Sequence, residues 1–577
     1  MGPIAKMKVS NSKNDKQSPE YDSFFSWKIM LFSFFTLWFF CAAFFFPITQ
    51  DETYYFSWSQ FLNAGYFDHP PAVAWLSYLS RLVGGSFLNA RTATVFLSLG
   101  SMFFLLKLYT ICEFRSQKRL LVAMLLGLGN LGALVCGFLT TPDAVVFFAW
   151  TLALHEAVIA LTQDEKRWIT AGFSVGIGLL GKLSMLLIGP VFLFALLRSK
   201  KGSLKSPWPY LGGVAAFLVF LPNLYWNMNN DWITWKFQLK HGLGMERANL
   251  LLGKLPIPER ADAGSNEAVL SELFHAPEIL QEDTVEGEAN IEAGEEMQFQ
   301  SFLTTMKGLL DGGSVPKRLG DFLSAQISLW GLLFFPLLAQ LLAIIFRKRN
   351  LKNAESFDSD IFRLLLAGTL VPLCVFFLFA FKSKVEANWP AMYMIAAAPL
   401  LANYLRPSLK WVGFGVCCNL FVLLAVIGYT YFPFLQINPG FDRILRETHG
   451  YKNLALDPMW KKDRPVFADS FQLVSMLNYY NRSLSVSQWP GITRVSEFVR
   501  DQRKVNYNLK HLRSIGSFQL VTTEKVPPRI PNFQAVQMKL VTDCREGQLE
   551  IYHSVREDSK KICHPIHRWY LIDYALL

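Results

Sequence analysis

Long apolar runs dominate the first three quarters of the chain, and polar residues are confined mostly to short breaks between them. Runs of membrane-spanning length fall at roughly 29–47, 90–111, 120–140, 143–162, 168–181, 183–197, 208–228, 324–346, 361–381, 389–405 and 411–432. Beyond Asn438 the pattern changes. Val466–Asp469, Leu484–Val486, Phe518–Val521, Val536–Val541 and Leu549–Tyr552 alternate as strands do, with helical stretches at Gln472–Tyr480 and Ser496–Gln502 between them. The pattern predicts a polytopic α-helical membrane protein of about eleven crossings and a C-terminal soluble α/β domain. The expected divisions are an N-terminal tail over 1–28, a membrane domain over 29–437 and the α/β domain over 438–577.

The basic residues orient this pattern. They gather in the N-terminal tail, at Arg115, Lys118 and Arg119, at Lys166 and Arg167, at Arg198, Lys200, Lys201 and Lys205, at Arg347, Lys348, Arg349 and Lys352, and at Arg406 and Lys410. A cytoplasmic N-terminus puts all of these loops on the cytoplasmic side, as the positive-inside rule requires. The assignment depends on reading Trp168–Leu197 as a hairpin of two short helices, each near 21 Å by the helical rise. Its tip, Gly181–Lys182, then lies toward the outer part of the bilayer, where a charge is costly unless paired or used. The first apolar run lacks a small-x-small cleavage site and is read as an uncleaved helix.

Composition agrees with this picture: of 577 residues 52% are hydrophobic, 15% aromatic and 18% charged, and mean hydropathy is +0.25. The net charge of +11 is accounted for by the inner loops, so it does not call for a nucleic-acid partner. Residues about 250–320 form an acidic insertion, read as a solvated loop or, alternatively, a lid. Cys544 and Cys563 lie in the polar tail and can pair if that tail is extracytoplasmic; no cysteines show CxxC spacing.

With this orientation the chemically suggestive residues share the outer face. Asp51 and Glu52 follow directly on an apolar run. Asp51 is the candidate general base, partial desolvation favouring proton acceptance, with an interfacial acid as the plain alternative. Glu52 is a second candidate catalytic group. Thr141–Pro142–Asp143 has the form of a helix start, and Asp143 is either that or a second catalytic acid. Asp68–His69–Pro70–Pro71 is a rigid loop. Asp68 and the more distant His241 are candidate ligands for a divalent metal, with a hydrogen-bonded turn as the alternative, and His69 is a candidate for phosphate contact. Lys182 and Lys384 are candidate phosphate-binding cations, and Glu386 and Asn388 add polar groups beside the latter. Transfer of a sugar from a lipid phosphate requires a base, positive charge at the departing phosphate and a fixed donor.

The segments Asp51–Glu52–Thr53–Tyr54–Tyr55, Gly65–Tyr66–Phe67–Asp68–His69–Pro70–Pro71, Thr141–Pro142–Asp143, Gly178–Leu179–Leu180–Gly181–Lys182 and Lys384–Val385–Glu386–Ala387–Asn388–Trp389–Pro390 resemble the bacterial dolichyl-phosphate-mannose–protein mannosyltransferase family. That family includes the lipid A aminoarabinose transferases and has the GT-C fold. The resemblance implies an inverting membrane glycosyltransferase of the bacterial inner membrane, taking sugar from a polyprenyl phosphate at the periplasmic face. The acceptor would be a lipid, a lipopolysaccharide component or a protein. It also implies that Asp51 is the first-loop catalytic acid, that Asp143 is a second, and that Asp68 and His241 lie near a metal-binding position. Tyr54 and Tyr55, within the first motif, are read as substrate-binding. Where the aminoarabinose branch has a phosphate-contacting lysine this chain has His69. The competing classes are a lipid or polysaccharide transporter, for which charges buried mid-membrane and an internal repeat are expected, and a non-catalytic membrane scaffold.

Overall fold

The computed structural model describes residues 19–84, 87–114, 116–199, 203–242, 314–346, 357–435, 437–438, 441–489, 492–500, 512, 515–528, 530, 532–545, 547, 549–552 and 563–577. The N-terminal tail up to residue 18 and nearly all of the acidic insertion lie outside the described residues.

Helix α1 (Pro19–Phe45) ends just before Pro47, and a short α2 (Gln50–Trp58) follows it. Thr49 and Glu52 form a reciprocal capping box that fixes the start of α2. Then come α3 (Ala72–Gly84), α4 (Thr92–Ile111), α5 (Gln117–Leu128), α6 (Leu131–Cys136) and α7 (Pro142–Thr162). These lead to α8 (Arg167–Gly181), α9 (Ile188–Arg198), α10 (Trp208–Met228) and α11 (Ile233–Gly242). After the insertion the membrane part is completed by α12 (Ser314–Trp330), α13 (Phe334–Phe346), α14 (Ser359–Ala380), α15 (Tyr393–Tyr404) and α16 (Leu409–Tyr431).

Among the described residues seven helical stretches are long and apolar enough to cross a membrane. The other four expected crossings are shorter or broken. The run at 120–140 divides at Gly129–Asn130, where Asn130 caps α6 by accepting from the Ala133 amide. Asn419 on α16 satisfies the freed backbone nearby, donating to the carbonyls of Gly129 and Trp330 and accepting from the Leu332 amide. Irregular backbone at membrane depth persists only with such internal partners.

The hairpin expected over 168–197 is present. Trp168 and Phe192 rings lie 5.2 Å apart, whereas a continuous helix would separate those positions by about 36 Å. The chain reverses through a 3₁₀ turn at Leu183–Leu187. Helix α8 also packs backbone to backbone on α10. A Cβ on Gly172 would fall 1.8 Å from the Gly212 carbonyl oxygen, so that crossing requires glycine.

The C-terminal domain begins with α17 (Arg443–Thr448) and α18 (Tyr451–Leu456) and is built on six strands: β1 (Val466–Ala468), β2 (Ser487–Gln488), β3 (Ser517–Thr522), β4 (Phe533–Cys544), β5 (Leu549–Tyr552) and β6 (Pro565–Leu576). Their order is β2-β1-β3-β6-β4-β5, with β1 parallel to both neighbours and the remaining pairs antiparallel. Helices α19 (Phe471–Tyr480) and α20 (Glu497–Arg500) lie between strands in sequence. Alternate β6 residues serve two cores: Trp569 and Leu571 face one, Tyr570, Ile572 and Tyr574 the other. Cys544 and Cys563 are joined as a disulfide.

This domain seats on α2 and on the segments that follow α2 and α10 in the membrane part. Thr53 on α2 bonds Ser475 on α19 at 3.0 Å, and Gln50 donates to the Tyr451 hydroxyl at 2.5 Å. The Phe67 amide donates to Glu497 at 2.8 Å, and Arg500 donates to Asn230 at 3.0 Å while stacking on Trp226.

Candidate active site

The site is built where α2, the start of α7, the end of α8, the loop before α15 and α17 converge. Pro142 at the first turn of α7 sets that helix start, and Asp143 projects beside it. Helix α8 runs antiparallel to α7, so Lys182 at its end meets Asp143. Lys182 Nζ donates to Asp143 Oδ1 at 2.8 Å, and Asn388 Nδ2 donates to Oδ2 at 2.7 Å. Three positions far apart in the sequence thus form one unit, with both Asp143 oxygens occupied and Lys182 nearly buried.

Lys384 is mostly exposed and donates to Glu386 Oε1 at 2.9 Å. Arg443 approaches Glu386 Oε2 at 3.7 Å and donates to Glu447 at 2.6 Å. The guanidinium, steadied by Glu447 and Glu386, is held firmly in its charged form. Arg443 and Glu447 belong to the first helix of the C-terminal domain.

Asp51 is the open member of the group. Its side chain is exposed, but the protein around it displaces bulk water. That desolvation pushes its carboxyl up to about 6; Glu447 and Asp68 add to the rise, while Arg443 and Arg494 oppose it. An acid tuned toward neutrality and still accessible is suited to accept a proton. Tyr55 is buried within reach of the charges of Asp51, Asp68, Asp143 and Arg494, and burial first, then those acids, hold its phenol neutral.

Glu52, the second expected catalytic group, does not belong to this open group. It is buried, and Arg91, itself without exposed surface, grips both its oxygens at 2.6 and 2.5 Å. Glu52 also accepts from the amides of Thr49 and Thr140. Arg91 spends its other donors on the carbonyls of Ala43, Phe46 and Pro47. With every strong acceptor site taken, Glu52 fixes α2 to the end of α1 and the start of α7. Tyr54, expected to bind substrate, is likewise buried and links two parts of the protein. Its hydroxyl donates to Asp68 Oδ2 at 2.5 Å and accepts from the Glu497 amide at 2.8 Å.

Asp68 is buried as well, and Arg494 Nη1 donates to its Oδ1 at 2.6 Å. Gln238 bonds the Asp68 carbonyl and lies 3.2 Å from His69 Nδ1. His69 sits edge-on to Tyr55 with ring centroids 6.0 Å apart. The side chain of His241 lies outside the described residues. The group of potential metal-ligating side chains found among the described residues, Cys544, Glu550 and Cys563, contains the disulfide.

Arg91, Arg443, Glu447, Arg494 and Glu497 escape a reading of the sequence. Only Arg443 and Glu447 leave a trace there, an i,i+4 charge pair just after the last apolar run.

Comparison with known proteins reaches part of this region: Asp68, His69, Asp143 and Lys182 fall within the matched stretch, and Asp51 and Lys384 lie outside it. A family model described as dolichyl-phosphate-mannose-protein mannosyltransferase matches residues 68–226. A lipid A galacturonosyltransferase, RgtD of Rhizobium johnstonii, is 27% identical over 193 residues, which is 31% of this chain and 38% of that protein. The chain therefore spans well under half the length of this curated relative. The crystal structure of ArnT from Cupriavidus metallidurans in the apo state superposes with a TM-score of 0.54 at 14% identity, covering 87% of this chain and 93% of that one. The structure of ArnT bound to undecaprenyl phosphate gives a TM-score of 0.53 at 11% identity, covering 95% and 98%. The fold is accordingly of the GT-C type, a polytopic helical membrane body carrying a C-terminal α/β domain, and the Thr141–Asp143 and Gly178–Lys182 motifs lie within the matched stretch.

Proposed function

We propose that the protein is an inverting glycosyltransferase that moves a sugar from a polyprenyl-phosphate donor to a hydroxyl of a lipid A-like or other lipopolysaccharide acceptor. The observation that carries this reading is Asp51: a carboxylate open to solvent, raised to about 6 by desolvation, with Arg443 and Arg494 acting on it by charge. The matched region and the fold shared with a protein crystallised with undecaprenyl phosphate support the donor class. The matched lipid A galacturonosyltransferase supports the acceptor class.

In this mechanism Asp51 takes the proton of the acceptor hydroxyl as its oxygen attacks the anomeric carbon. The bond from that carbon to the phosphate oxygen breaks, and polyprenyl phosphate leaves with the bonding electrons. A single displacement inverts the anomeric centre. Lys384 and Arg443, both largely exposed, supply positive charge where the leaving phosphate gathers negative charge. The Lys182–Asp143–Asn388 unit orients the inner wall of the site. His69 stands beside the buried Tyr55. The membrane is the bacterial inner membrane, with the N-terminus cytoplasmic and the C-terminal domain periplasmic. The basic loops and the disulfide in the C-terminal domain favour that orientation.

The test is transfer from radiolabelled polyprenyl-phosphate sugars in proteoliposomes, wild type against Asp51→Asn. Transfer by the wild type and its loss in a folded variant supports the reading. Equal transfer by both removes Asp51 as base, and no transfer by the wild type from a broad donor panel removes the enzymatic reading.

A further inference from the structure

We propose that Arg494, carried by the C-terminal domain, takes the place of a divalent metal at Asp68, so that the outer site works without a metal ion. The inference rests on the glycosyltransferase reading for its purpose but not for its geometry.

Asp68 is the acid on which a metal site would depend, and each of its carboxylate oxygens already accepts a hydrogen bond. Tyr54 donates to one oxygen at 2.5 Å and Arg494 to the other at 2.6 Å, in a position with little exposure to solvent. A divalent ion needs a carboxylate oxygen at about 2.0–2.2 Å. A guanidinium bonded to the same group takes up one direction of approach and repels the ion. Nothing in the arrangement suggests that Arg494 is there by chance. Its guanidinium lies over Phe471 at 4.2 Å and over Phe237 at 5.2 Å, so one ring from each side of the domain junction fixes it. Tyr54, which holds the other Asp68 oxygen, is itself fixed by the Glu497 amide from the same domain. Glu497 in turn accepts from the Phe67 amide, next to Asp68. The C-terminal domain therefore closes around Asp68 at three points.

Arg494 supplies positive charge at the place where an ion would. Arg494 acts favourably on ionised Asp51 and Tyr55 through its charge. An arginine keeps that charge at every accessible pH and is not removed by a chelator. It is a positioning residue: it sets the charge and geometry of the outer loop rather than contacting the reacting atoms.

The experiment has two arms on the full-length protein in lipid nanodiscs. In the first, zinc is titrated into EDTA-treated wild type and Asp68→Asn. No zinc uptake that depends on Asp68 is the expected result. One zinc bound by the wild type and lost in Asp68→Asn overturns the proposal. This arm stands whatever the enzyme's substrates are. In the second, binding of undecaprenyl phosphate is measured with and without EDTA for wild type, Arg494→Gln and Arg494→Lys. Binding indifferent to EDTA, weakened on the order of 10- to 100-fold in Arg494→Gln and partly restored in Arg494→Lys, is expected. Wild-type binding abolished by EDTA and restored by zinc, or Arg494→Gln indistinguishable from wild type, overturns it. Thermal unfolding of each variant separates loss of charge from loss of fold. Failure of the wild type to bind undecaprenyl phosphate in any condition counts against the donor assignment and leaves the zinc arm to decide the role of Arg494.

Discussion

Asp51 and Glu52 leave the same turn of α2 for opposite surroundings: Glu52 is locked to Arg91 inside the protein, while Asp51 opens outward toward Arg443 and Glu447. Successive helical residues diverge by about 100°, and here that angle separates a structural acid from a candidate base. The same short helix can therefore be held rigidly by one carboxylate while it presents the other.

The Asp51 environment sets a pH dependence. Transfer needs the ionised carboxylate, so its rate is expected to fall as pH drops through about 6. The stability effect has the opposite sense. Folding raises this carboxyl from 3.8, so ionising it costs stability as pH rises from there through about 6. Asp51→Asn removes that cost: it should unfold at a higher temperature than wild type at pH 8 and at a similar one near pH 3.5. Because Glu447 is the largest charge raising Asp51, Glu447→Gln should move the acid limb of the rate profile to lower pH. A limb that stays near 6 in that variant would show that another group controls the rate.

Arg91 offers a direct test of the buried lock. Arg91→Met removes the partner of a buried carboxylate and strands three carbonyls. Breaking a buried pair from one side costs about 3–5 kcal/mol. Thermal unfolding in detergent should show a large loss for Arg91→Met and a smaller one for Arg91→Met combined with Glu52→Gln, since the second change removes the stranded charge. Equal losses would mean that Glu52 finds water instead.

Lys182 and Asp143 should behave as one unit. In a double-mutant cycle of Lys182→Met and Asp143→Asn, the coupling is expected at roughly 0.5–3 kcal/mol, the pair lying at 2.8 Å with little solvent between. Read on transfer, both single variants are expected to raise the KM for the lipid donor more than they lower kcat. Additive effects would separate the two residues and assign Asp143 an independent part in the chemistry.

The disulfide should matter to the C-terminal domain more than to the membrane body. It closes a separation of 19 residues, which corresponds to about 3 kcal/mol in the chain-entropy account. Paired Cys544→Ser and Cys563→Ser changes should lower the unfolding temperature of that domain, as read by protease protection. A wild-type protein whose protection is unchanged by reductant would contradict this.

How far the sequence foretold this molecule depends on where the information sits. The membrane helices are legible because each buries its pattern locally, and the hairpin followed from charge placement alone, Lys182 and the inner loops together. The break at Asn130 was not, because what makes it tolerable is Asn419, almost three hundred residues away. Strand β6 was overlooked for a related reason. Covered on both faces, Trp569–Tyr574 shows no alternation of apolar and polar positions, which is the usual mark of a strand. Asp51 and Asp143 are legible because they sit beside apolar runs. The arginines that answer them lie in ordinary polar sequence, and only the docking of one domain on another gives them their meaning.

That docking also has a consequence in time. Thr53 and Ser475, which bond across the junction, are 422 residues apart, so α2 emerges from the ribosome long before the surface that will hold it. Through most of synthesis the helix that carries Asp51 is tied down only by contacts within the membrane part, such as those of Glu52 with Arg91 and Thr140 and of Tyr54 with Asp68. The candidate site is thus among the last parts of the protein to be finished, and a chain cut short before Arg443 would insert its helices while leaving that site incomplete.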